Sequence, residues 1–153
     1  MAFWKKLLGS DNDQRVDYYD EGVGLLEDGK FHEALTSFRL ALKAAPGDPI
    51  VLQQIAICYT RIGMVDEAAK TYRHVLQRDD ASSGAHYGLA FILLRSERPE
   101  AAIPHLEAFL NHAPRDENAS SHVEHARWTL AHLRGEGPAE PTTNPHEDGR
   151  DVG

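Results

Sequence analysis

The sequence predicts an all-α chain of three helix pairs of equal length followed by a seventh helix. Three observations predict it. The stretches "GKFHEALTSF" (Gly29 to Phe38) and "GMVDEAAKTY" (Gly63 to Tyr72) write one phrase twice, 34 residues apart. Each reads Gly, any residue, apolar, any residue, Glu, Ala, three residues, aromatic. Apolar residues recur at three- and four-residue spacing, and no stretch sustains the alternation of a strand. Residues that start and stop helices also fall at regular places.

Taken in order, the first pair is expected at about 13–28 and 31–45, the second at 48–62 and 65–78, the third at 82–95 and 98–112. The seventh helix is expected at 116–133. Gly29 and Gly63 stand where a helix end wants a residue tolerant of positive φ. Asp48-Pro49 is an N-cap followed by a proline in the first turn, where its missing N–H costs nothing. Pro46 and Pro114 close other helices, Asp116 caps the last one and Gly135 ends it. In the third pair Glu97 and Pro99 replace the turn glycine and the apolar residue after it. Pro104 lies inside the second helix of that pair, so a kink or a late helix start is expected.

The rest of the chain and its composition bound what the protein does. The formal net charge of −8 argues against a general grip on phosphate backbones, and so against nucleic acid as a partner. Cys58 is the single cysteine, which excludes an intramolecular disulfide and fits a reducing compartment. No stretch approaches the roughly 20 apolar residues of a membrane-spanning helix, and "MAFWKKLLGS" lacks the apolar run of a secretory signal. A cytoplasmic protein is expected. Residues 135–153 hold three prolines, four glycines and five acidic residues against Arg150, so a disordered acidic tail is expected.

The period and the phrase resemble the tetratricopeptide repeat, a 34-residue helix–turn–helix unit. The matching residues are Gly22, Gly29, Phe31, Ala34, Phe38, Ala41 and Pro46 in the first copy. In the second they are Ala56, Tyr59, Gly63, Ala68 and Tyr72, and in the third Leu89, Ala90, Ala102 and Pro114. The resemblance implies a right-handed α-solenoid with repeats at about 15–48, 49–82 and 83–116, domain limits of 13–134, and a capping helix at 116–134. It also implies a non-enzymatic scaffold or adaptor, in which the first helices of successive pairs line a concave groove for a partner's peptide or helix.

Carried onto this sequence, that face holds Val16, Tyr19, Val23 and Leu26, then Gln53, Gln54, Ile57 and Arg61, then Tyr87, Phe91, Leu94 and Arg95. The last helix adds His122, His125 and Trp128. The groove is expected to take an apolar or amphipathic segment, with Arg61 and Arg95 orienting an acidic group. Relatives that grip the acidic tails of heat-shock chaperones use a Lys/Asn/Arg clamp. Tyr19, Val23, Gln54, Gly84 and Gly88 stand in those places, so that ligand is not expected.

Other motifs carry less. "GLLEDGKF" (Gly24 to Phe31) is one residue short of a phosphate-binding loop and ends in Phe instead of Ser or Thr. His122 and His125 lie one helical turn apart, but Glu124 points elsewhere and nothing completes a metal site. Ser120, Ser121 and His122 are sequence neighbours that do not face one another on a helix, so no nucleophile and base pair up. Neither cofactor nor metal nor catalysis is expected. In residues 1–12, Phe3, Trp4, Leu7 and Leu8 form one apolar face on a helix, with Lys5 and Lys6 pointing away. Three roles compete: a weak membrane-surface contact as in a peripheral adaptor, docking into a partner or a groove as in a self-assembling homo-oligomer, or packing on the first helix pair.

Overall fold

Gly29 and Gly63 each close the first helix of a pair in the left-handed region, at φ 76° and 93°, where a side chain would be strained. Each reverses the chain within two residues, so consecutive helices lie antiparallel. The computed structural model describes residues 10–136, with side chains from Asp17 onward. Phe3, Trp4, Leu7, Leu8 and the tail after Glu136 lie outside the described residues, as does the side chain of Val16.

Seven α-helices follow in order: α1 (Ser10–Glu27), α2 (Phe31–Ala44), α3 (Pro49–Ile62), α4 (Val65–Arg78), α5 (Ser83–Leu93), α6 (Ile103–His112) and α7 (Glu117–Leu133). No strand occurs among the described residues. Asp48 caps α3, its Oδ1 accepting from the N–H of Ile50 at 2.9 Å and of Val51 at 3.4 Å. Ser82 caps α5 and Asp116 caps α7 by the same means.

The third pair departs from the first two where its sequence does. With no glycine to reverse the chain, α5 stops at Leu93, and the Ser96 hydroxyl donates to the Leu93 carbonyl at 2.6 Å. A 3₁₀ turn at Pro99–Ala102 then precedes α6. Pro104 falls in the first turn of that helix, where it has no hydrogen bond to remove.

Each helix packs on the next, giving an all-α solenoid in which α1, α3 and α5 run parallel. Two hydrophobic clusters hold it. Phe38, Ile55, Ala56, Cys58, Tyr72, Val75 and Leu89 centre the first, which spans α2 to α5 with α1 packed against it. Ala90, Leu106, Phe109, Ala126 and Leu130 centre the second, between α5, α6 and α7. Small residues sit at the crossings: Gly22, Ala56 and Ala90 are buried 34 residues apart and face Phe38, Tyr72 and Leu106 at the same interval.

Candidate functional site

The repeat interval aligns the exposed faces of α1, α3 and α5 into rows. Tyr19, Gln53 and Tyr87 make one row, Asp20, Gln54 and Gly88 the next, and Val23, Ile57 and Phe91 a third. The rows are not equally open. Tyr19 and Val23 lean into the first cluster. The Tyr19 ring meets Phe38 edge-on at 5.7 Å, and its hydroxyl accepts from Gln54 Nε2 at 3.3 Å. Leu26 packs against the same cluster. These three expected groove residues therefore act as half-buried support for the first pair.

The face opens between α3, α5 and α7, around a recess of about 360 Å³. Its floor is made by two glycines one turn apart on α5. A Cβ on Gly84 would stand 2.2 Å from Gln53 Nε2, and one on Gly88 would stand 2.3 Å from Tyr72 Cζ. The bare backbone lets both neighbours reach in from α3 and α4. Gln53 is held there, since its Oε1 accepts from the Ser82 hydroxyl at 3.1 Å, leaving the amide nitrogen turned to Gly84. Ile57, Tyr87 and Phe109 form apolar walls, and Pro114, Ala119 and His122 close the far side.

Tyr87 organises that far side. Its ring lies 4.6 Å from Phe91, 4.9 Å from Phe109 and 5.1 Å from His122. Its hydroxyl is 3.3 Å from His125 Nδ1. Burial pushes the phenol above its ordinary pKa, so it stays a neutral donor. His125 stacks on Phe91 at 4.7 Å. The two histidines are thus part of an aromatic wall, and no group of three or more metal-ligating side chains exists among the described residues.

Four expected residues stand apart from the recess. Arg61 lies with its guanidinium 4.7 Å over the Phe31 ring. It is eight residues beyond Gln53, about 12 Å along the helix. Arg95 was expected to stack beside it one repeat on. It does not lie on a helix, because α5 ends at Leu93 and Arg95 falls in the turn held by Ser96. Leu94 packs against the second cluster. Trp128 is exposed and stacks on His132 at 5.4 Å, one turn along α7. No lysine or arginine lines the recess, so the arginine orientation of an acidic group loses its geometric basis.

Sequence reasoning noted Gly84 and Gly88 only as missing clamp residues, and missed that they make the recess. Their spacing of four within a helix was the available signal, since glycine in a helix interior is unfavourable and needs a reason. Tyr72, Ser83, Phe109, Pro114 and Ala119 also line it without having been named for the groove.

The tetratricopeptide-repeat family profile matches residues 25–82 and 63–123. No curated protein matches the chain in sequence. Among solved structures, the chain is similar to the type III secretion chaperone SycD of Yersinia enterocolitica, crystallised in complex with a peptide of the translocator YopD. That likeness has a TM-score of 0.73 at 15% identity, over 81% of this chain and 95% of that one. PcrH from Pseudomonas aeruginosa is similar with a TM-score of 0.70 at 16% identity, over 80% of this chain and 92% of that one. The first repeat domain of Spaghetti (RPAP3), bound to an HSP90 peptide, gives 0.65 at 18% identity, over 78% of this chain and 94% of that one. At these identities the likeness is one of fold.

Proposed function

The chain belongs to the tetratricopeptide-repeat family, and from that premise we propose that it is a non-enzymatic interaction module that recruits another protein through its concave face. The observation that carries the proposal is the recess over Gly84 and Gly88. Its walls are mostly apolar, and Gln53, Tyr72 and His122 add polar atoms at its edges. Its volume of about 360 Å³ lies at the small end of the roughly 300–1,000 Å³ range of pockets. That size suits a large side chain from a peptide or helix, seated while the rest of the segment lies along Ile57 and Phe91. Burying such an anchor contributes roughly 1.5–3 kcal/mol, so it supplies affinity while the polar edge sets orientation.

The HSP90 peptide in the RPAP3 complex ends in acidic residues, as SRMEEVD. The recess here offers no cation to such a terminus, and an apolar anchor is the better match. SycD, with its YopD peptide, is the more suitable comparison for a segment of that kind.

Gly84→Leu tests the proposal. It fills the recess, only the flexible end of Gln53 has to move, and leucine favours the helix over glycine by roughly 1 kcal/mol. An affinity pull-down from the native cell would compare wild type with this variant at matched circular dichroism. A partner retained by wild type and lost by Gly84→Leu is expected. A partner kept by both would place the interaction on another surface and overturn the proposal.

A further inference from the structure

The recess lacks a cation, and the helix at the open end of the groove is acidic. Six carboxylates stand on α1 (Asp11, Asp13, Asp17, Asp20, Glu21 and Glu27) against the single Arg15. Asp17, Asp20 and Glu21 are exposed, and Asp20 lies in the row of Gln54 and Gly88. Such a surface favours an occupant that combines large apolar side chains with positive charge. The nine residues before Ser10 read MAFWKKLLG, with Phe3, Trp4, Leu7, Leu8, two lysines and no acid.

Position agrees with chemistry. Phe31 meets Arg61, so the turn after α1 lies beside the C-terminal end of α3. Tyr19 bonds Gln54 midway along the two helices. Ser10 therefore stands at the same end of the stack as Pro49 and Ser83, which is the end where Gln53 and Gly84 hold the recess. Trp4 is six residues from Ser10, a reach of about 20 Å when extended. Two steps between helices packed 8–10 Å apart carry the chain from α1 to α5 over roughly the same distance.

We propose that residues 1–9 are the groove's own occupant in the free protein, with Trp4 seated in the recess and Lys5 and Lys6 set against the carboxylates of α1. The inference rests on the recess being a docking site, as proposed above. A partner must then displace the segment, and the groove is self-inhibited.

The full chain carrying Trp128→Phe tests this, because Trp4 and Trp128 are the two tryptophans. Acrylamide quenching of Trp4 would be compared with that of a synthetic peptide of residues 1–9. A millimolar effective concentration against a Kd of about 100 µM leaves roughly a tenth of the segment free, so quenching falls to about a tenth of the peptide's. Gly84→Leu in the same background is expected to restore peptide-like quenching. Peptide-like quenching before that substitution, or protection that survives it, overturns the proposal. Protection that fades on dilution together with a fall in molecular mass overturns it in favour of a second copy's segment. If Trp4 proves unprotected while Gly84→Leu still releases a captured partner, only the self-occupancy fails and the docking site stands.

Discussion

Two glycines on α1, two positions apart, are expected to respond to alanine in opposite directions. An added Cβ at Gly22 would stand 2.7 Å, 2.8 Å and 2.9 Å from Cε1, Cδ1 and Cζ of Phe38. That ring is fully buried and meets Tyr19 edge-on, so it cannot swing aside as a surface side chain would. Overpacking of this kind costs about 1–3 kcal/mol, and the gain in helix propensity returns roughly 1 kcal/mol. Gly24 has nothing within 4 Å of an added Cβ, so Gly24→Ala keeps the propensity gain alone. Because propensity is common to both, the difference between the variants isolates the clash, at about 1–3 kcal/mol. Urea denaturation of the full chain followed by circular dichroism would read it, as would Tm, at roughly 3–5 °C per kcal/mol for a chain of this size. The risk is real, because Ala56 already occupies the equivalent place opposite Tyr72 in the second pair. Equal stabilisation by both substitutions would show that the first pair relaxes to the spacing of the second, and would refute the reasoning.

Two further outcomes are expected. His86 and His105 bring their Nδ1 atoms to 3.1 Å, and His86 Nε2 is 2.8 Å from the Asp80 carbonyl. Burial, then His86, then Arg73, hold the His105 imidazole below its ordinary 6.5. The unfolded chain takes up that proton first, so stability is full above about pH 6.5 and falls as the pH drops through 6.5 toward the folded value. His105→Gln is expected to flatten that limb in denaturation measured from pH 7.5 to 5.5, and an unchanged slope would remove His105 as its source. Cys58 is fully buried and its thiol is pushed up to about 11, chiefly by burial. A thiol-specific chromogenic reagent is expected to label it only after unfolding, and rapid labelling of the native chain would contradict its placement in the core.

The sequence carried the helices well because each boundary rests on local chemistry. Gly29 and Gly63 need positive φ, Asp48 and Asp116 cap, and Pro104 is tolerated only in a first turn. The site was legible in outline. Gln53, Ile57, Tyr87 and His122 were expected on the concave face and do line the recess. What stayed hidden depends on neighbours. Whether Tyr19 opens to the groove or leans on Phe38 is decided by a side chain 19 residues away. Arg61 is held by Phe31 across a helix boundary, and Arg95 left its helix because Ser96 ended it early. Gly84 and Gly88 read as defects of a helix until Gln53 and Tyr72 are seen reaching over them.

The recess straddles the seam between the two hydrophobic clusters. Tyr72 belongs to one and Phe109 to the other, and both contribute to its lining. Whatever fills it touches both halves of the solenoid and works as a staple across them. A stack of near-independent units is only as cooperative as its weakest junction. Filling this one turns binding energy into cohesion, so an occupied chain should melt as one body where an empty one can come apart at the seam.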